Sequence, residues 1–191
     1  MTKKNTKIKG IFTILLVVFC ALVAWAHFFH LDGAFDFILG VLSFEDTLYA
    51  PGYSNAGFKC VHEGTTRERV LELIGYPIYK SLIYCTAENN LEGSYDYRKL
   101  YIIAHSVTDI IKGNSRGSGN DITKCADGYS EDKFGSIKLG QSEYEVMKIL
   151  GEPLEEIWGY SKSPNSTDYR IRLISIKNGK VTSKLHKLYY D

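Results

Sequence analysis

The chain has 191 residues, 45% hydrophobic and 24% charged, enough to bury the core of an ordinary domain and too apolar for a disordered chain. Lys and Arg number 23 against 22 Asp and Glu, a formal net charge of +1, so no field of one sign invites a nucleic acid or another polyanion.

At the N-terminus Lys3, Lys4, Lys7 and Lys9 precede an apolar run from Ile11 to Ala26 broken only by Thr13, the pattern of an export signal. Residues 1–30 are read as a signal anchor or a signal peptide. Ala24 and Ala26 place small residues where a signal peptidase cleaves. Continuing through His27, Phe28 and Phe29 brings the run to the ~20 residues that span a bilayer, which favours retention and membrane contact through residues 10–30. No Lys or Arg occurs between Lys9 and Lys59, so the positive-inside rule leaves the rest of the chain outside the cytoplasm. The expected location is single-pass in the inner membrane with the C-terminal part in the periplasm or outside; the alternative is a secreted or periplasmic protein cleaved near Ala26. Phe19 stands before Cys20 where a lipobox needs a small residue, so Cys20 reads as apolar filler. Residues 31–49 form a juxtamembrane segment, with Phe35, Ile38, Leu39 and Leu42 at helical spacing.

Beyond it the chain matches itself. A shift of 76 residues superposes Ala50 on Ala126, Gly52-Tyr53-Ser54 on Gly128-Tyr129-Ser130 and Phe58 on Phe134. It also superposes Gly64 on Gly140, Val70 on Val146, Gly75 on Gly151 and Pro77 on Pro153. With a four-residue shortening, Asp96-Tyr97-Arg98 falls on Asp168-Tyr169-Arg170. This is an internal duplication. Ser142 with Glu145 makes a capping box, Val146, Ile149 and Leu150 recur on one helical face, and Gly151 and Pro153 end the helix. The first copy repeats the pattern with Thr66, Val70, Leu73, Ile74, Gly75 and Pro77. Strand-period segments follow in both copies, and Asn178-Gly179 marks a hairpin that the first copy lacks. Residues 112–125 contain a Gly/Ser-rich connector between repeats 50–111 and 126–191. The predicted fold class is α+β: two tandem helix(-helix)/antiparallel-sheet repeats after an N-terminal transmembrane or signal helix.

The stretch "IKLGQSEYEVMKILGEP" and its weaker copy "CVHEGTTRERVLELIGYP" carry a Gly, a capping Ser or Thr, a helical Val and a Gly-x-Pro end. With these motifs the sequence resembles the BamE (SmpA/OmlA) family of envelope proteins, and the tandem arrangement is similar to the β-lactamase inhibitor proteins. The resemblance covers residues 50–105 and 126–191. It implies an extracytoplasmic module that binds other proteins. The chain departs from BamE in having two units and no lipobox, and no inhibitory loop of the second group matches residue by residue.

Catalytic constellations are scarce. Cys60, Cys85 and Cys125 lie in the exported part; Cys60 and Cys85, within one repeat, are the disulfide candidates, and such a bond would stabilise by roughly 3 kcal/mol. Cys60-Val61-His62 falls short of a four-ligand metal site, so no metal and no cofactor are assigned. All fourteen tyrosines follow the export signal. Tyrosine combines contact area with a polar tip, so Tyr97, Arg98, Tyr169, Arg170, Tyr160 and Trp158 are the candidate binding residues. The reading is a non-catalytic extracytoplasmic module whose partner is another envelope or secreted protein. The alternative is an extracytoplasmic enzyme or metal-binding protein using Cys60, His62 or His105.

Overall fold

The computed structural model describes residues 46–88, 93–117, 119–165 and 168–189. The segments expected as export signal and, for the most part, as juxtamembrane region lie outside them, and no described helix is long and apolar enough to cross a membrane.

Among the described residues, four short helices begin where a hydroxyl satisfies free N–H groups. Ser54 caps α1 (Asn55–Cys60), Thr66 caps α2 (Arg67–Ile74), Ser130 caps α3 (Glu131–Gly135) and Ser142 caps α4 (Glu143–Leu150). Glu145 closes the capping box of α4. Gly75 and Gly151, at φ 73° and 77°, end α2 and α4 with a backbone that a side chain would disfavour.

The strands are β1 (Leu48–Tyr49), β2 (Tyr79–Ala87), β3 (Tyr95–Ile103), β4 (Ser106–Ser115), β5 (Thr123–Cys125), β6 (Glu155–Gly159), β7 (Ser161–Lys162), β8 (Tyr169–Lys177) and β9 (Lys180–Tyr189). Six form one sheet in the order β4-β3-β2-β6-β8-β9, with β5 beside the end of β2; β1 and β7 form a separate pair. Every pairing is antiparallel.

This corrects the predicted fold class. Strand takes 46% of the described chain and its four helices 20%, so the described part is mostly antiparallel sheet rather than an array of helix/sheet repeats. The reason lies at β2 and β6. Their ladder, Tyr79↔Gly159 through Ile83↔Glu155, joins the two segments that match in sequence into a single sheet. The helices then cross over. Phe58, Val61, Val70 and Ile74 from α1, α2 and the turn between them pack with Trp158, Tyr160, Ile174, Ile176 and Val181 of the second segment. Phe134, Ile137, Val146 and Leu150 pack with Leu82, Tyr84, Leu100, Ile102 and Val107 of the first. Neither segment therefore buries its helices on its own strands, and a thin unit of about 70 residues is not left to stand alone.

Polar contacts fasten the crossing. At the start of α2, Arg67 pairs with buried Glu156 on β6; at the counterpart start of α4, Glu143 pairs with buried Lys80 on β2 at 2.7 Å. The two pairs occupy the same positions with charges exchanged. Packing each helix on its own segment would bring Arg67 to Lys80 and Glu143 to Glu156, like charge against like. Tyr84 and Tyr160 are also counterparts, fully buried. Tyr84 donates to the carbonyl of Gly151 at 3.1 Å, and Tyr160 donates to that of Gly75 at 3.0 Å, so each hydroxyl serves the end of the helix lying on its sheet.

Three further points differ from the sequence reading. Cys85 bonds Cys125, which β5 places directly opposite it; Cys60 is exposed and free. The first copy also has its two-residue hairpin turn: Ala104 and His105 adopt φ 48° and 63° between β3 and β4, as Asn178 and Gly179 do between β8 and β9. Finally, the irregularities at Tyr101/Ile102 and Ser175/Ile176 align the hairpins with a shift of 74 residues, so Arg98 corresponds to Arg172 rather than to Arg170. The two Asp-Tyr-Arg triplets are similar in spelling but not in position.

Candidate protein-binding face

Alternation along each strand sends successive side chains to opposite faces. Lys80, Leu82, Leu100, Ile102, Trp158 and Ile174 take the face that the helices cover. The opposite face carries Tyr97, Tyr101 and Ile103 on β3, Tyr79 on β2, Ile157 on β6, Ile171 and Leu173 on β8, and Leu185 and Tyr189 on β9. Among the described residues no helix lies on this face.

Two of its tyrosines lie flat on backbone. A Cβ added to Gly113 of β4 would fall 2.0 Å from the Tyr97 ring, and one added to Gly159 of β6 would fall 2.2 Å from the Tyr79 ring. Glycine at these positions lets each ring settle across a neighbouring strand while keeping one side outward. Burial, helped by the nearby phenols of Tyr169 and Tyr101, holds the Tyr79 hydroxyl above its ordinary pKa, so it remains a neutral donor and acceptor at physiological pH. Tyr169 packs against Tyr189 with ring centres 5.5 Å apart at the end of the same face. The face offers broad aromatic and aliphatic contact with phenolic tips and few charges, the composition of protein-binding surfaces.

The predicted binding residues separate. Tyr97 and Tyr169 lie on this face. Arg98 is on the helix side, paired with Glu131 at 3.0 Å and Asp96 at 3.5 Å while donating to the carbonyls of Tyr97 and Gly113. Tyr129, together with Arg98 and Lys112, holds the Glu131 carboxyl below the usual carboxylate range. Arg170, half-buried, shares the helix side with Leu188 and donates its backbone N–H to Thr47. Trp158 and Tyr160 are corrected outright: both are wholly buried, Trp158 donating to Glu156 and Tyr160 serving the end of α2.

No family model matches the chain, and no curated protein sequence does.

Cys60 and His62 do not meet His105. The loop after α1 bonds to Val181 beside the β8–β9 turn, whereas His105 sits in the β3–β4 turn. Because β3 and β8 run in opposite directions, these turns are at opposite ends of the sheet. Among the described residues no three His, Cys, Asp or Glu side chains are placed to share a metal. A groove of about 550 Å³ between β5 and the α4–β6 connection is lined by Lys124, Asp127, Glu152, Glu155 and Lys177. Lys177 and Glu155 pair there at 3.5 Å. Its charged groups set no base beside a nucleophile, which covalent chemistry requires.

Proposed function

We propose that the chain is a non-catalytic extracytoplasmic binding module, held at the inner membrane by residues 10–30, that receives another envelope or secreted protein on the helix-free face of its sheet. The observation carrying this reading is the row of Tyr79, Tyr97 and Tyr101 with Ile103, Ile157 and Leu173 on a face opposite all four described helices. Ile103 is exposed and the others are half-buried; apolar surface left in water has a cost, and an occupying partner removes it.

The test is photocrosslinking in the native envelope. A photoreactive residue at Lys99, on this face, captures a discrete protein; the same residue at Lys148, on α4, does not. Tyr97→Ala and Tyr101→Ala lower the capture through loss of about 1–2 kcal/mol each, the range for interface aromatics. Equal capture from both positions, or none from Lys99, would overturn the assignment.

A further inference from the structure

We infer that one end of the sheet is itself a membrane-docking surface that seats the folded module against an anionic bilayer. The inference rests on the inner-membrane location proposed above; Ile103, Tyr79 and Leu173 lie where this end meets the open face, whose protein partner keeps Tyr97, Tyr101 and Ile157.

The relevant end is marked by the cross-strand row Ile103, Tyr79, Gly159, Leu173 and Leu185 and by everything beyond it toward the Ala104–His105 turn. Tyr76 lies there with its ring 4.9 Å from that of His105. The loop carrying Leu139 and the first turn carrying Tyr144 are fastened to the same turn. Gly140 donates to the carbonyl of Val107, and Glu143 donates to that of His105, each at 2.8 Å. Leu48 is there as well, opposite Lys162, and Tyr189, opposite Tyr169. These residues with Ile103 and Leu185 are all seven of the large hydrophobic side chains that stand exposed among the described residues, between 40% and 77% accessible. A random scatter would not place all of them at one end.

The duplication supplies an internal control. The opposite end has the same backbone: Gly64 donates to Val181, and Arg67 donates to Gly179, as Gly140 and Glu143 do to Val107 and His105. At that end the counterparts of Tyr76, Leu139 and Tyr144 are Glu152, Glu63 and Glu68, and the counterpart of Ile103 is Lys177. The frame accepts charge at every one of these positions. The apolar choice is therefore not demanded by folding.

The chemistry favours a bilayer over a protein groove. Five of the seven apolar side chains have an exposed lysine beside them that can reach a headgroup. Lys138 adjoins Leu139, Lys148 is one turn from Tyr144, Lys162 faces Leu48, and Lys187 lies between Leu185 and Tyr189; all four are exposed. Leucine at the acyl boundary, tyrosine at headgroup depth and lysine toward anionic lipid is the pattern of interfacial membrane contact. Of the carboxylates at this end, Glu143 pairs with Lys80, Glu145 accepts from Ser142, Asp46 accepts from the backbone N–H of Asn165 and Asp109 from that of Ile110, while the chain enters beside Asp168. Chain entry agrees. Asp46 bonds to Asp168 and Thr47 to Arg170, so the described chain begins at this same end. Fifteen residues separate it from the expected span, a reach of at most about 55 Å in any conformation. A tether of that length keeps the apolar end at high local concentration beside the bilayer.

The full chain is incorporated into phosphatidylcholine vesicles containing about one quarter phosphatidylglycerol. An environment-sensitive fluorophore is attached at Leu139→Cys or at its counterpart Glu63→Cys, with Cys20 and Cys60 replaced by serine. The expected result is several-fold stronger quenching by brominated lipid at position 139 than at 63. A label at 139 reporting on the double substitution Leu48→Glu/Tyr144→Glu should lose that excess, with an unchanged circular dichroism spectrum. Failure of the chain to float with vesicles would overturn both the location and the docking. Flotation with equal quenching at the two labels would overturn docking alone. Shielding of position 139 only in native membranes, and not in protein-free vesicles, would overturn it in favour of a protein occupant.

Discussion

The exchanged ion pairs are the most informative side chains for specificity. Lys80 and Glu143 are nearly buried, and the Lys80 ammonium also lies 4.7 Å from the Trp158 ring, so removing either charge strands the other in a low-dielectric site. Lys80→Glu should lower stability by about 3 kcal/mol in urea denaturation, and adding Glu143→Lys should recover most of it. If the double variant is as unstable as the sum of its singles, the pair does not fix the helix on the sheet. Tyr84 and Tyr160 give a pH signature. Burial raises both phenols above the ordinary 10.0. The folded state thus keeps protons that the unfolded chain releases near pH 10. This contribution is complete below that pH and is lost as the pH rises beyond it toward the higher folded values. The variant Tyr84→Phe/Tyr160→Phe should lose about 1 kcal/mol per hydroxyl at neutral pH, yet show a shallower fall in stability above pH 10.

At the scale of the element, the two hairpins turn alike with unequal residues. Asn178-Gly179 suits positive φ at both positions, whereas Ala104 and His105 pay for it. Ala104→Asn/His105→Gly should raise stability by about 1 kcal/mol, read as a higher Tm, after allowing for the lost contact with Tyr76. The disulfide closes a separation of 40 residues between β2 and β5, so Cys125→Ala should cost about 4 kcal/mol, measured against the oxidised protein. These elements also show what was legible. Ser142, Glu145 and Gly151 announced α4 because caps are local chemistry. Tyr97 and Tyr101 were readable as one strand face because alternation is local too. Which face the helices cover, and hence the burial of Trp158 and Tyr160, depends on contacts made across the sheet, which no window of sequence contains. Likewise the turn at Ala104-His105 has no turn residue to reveal it; its geometry comes from the register of β3 on β4. The partner of Cys85 was hidden because β5 lies inside the segment read as connector.

For the molecule from Asp46 onward, crossing helices and a shared sheet should make unfolding a single event. Its two cores are distinct groups of side chains, one around Trp158 and Tyr160 and one around Leu82 and Tyr84. Independent repeats with such cores would melt separately, each with its own midpoint. Here β2 carries Leu82 into one core and, through Lys80, lies beneath Trp158 of the other, while its ladder with β6 joins the two halves of the sheet. Opening either core then withdraws strand pairing and helix fastening from the other, which is the physical content of cooperativity in a small domain. Leu82→Ala tests this, because the cavity it leaves should cost 2–5 kcal/mol, about the usual range for a buried leucine. Native-state hydrogen exchange should show protection falling by that amount not only in α3 and α4, which pack on Leu82, but equally in α1 and α2, which do not. A loss confined to α3, α4 and the β2–β4 strands would mean that the halves unfold on their own and that the β2–β6 ladder joins them without coupling them.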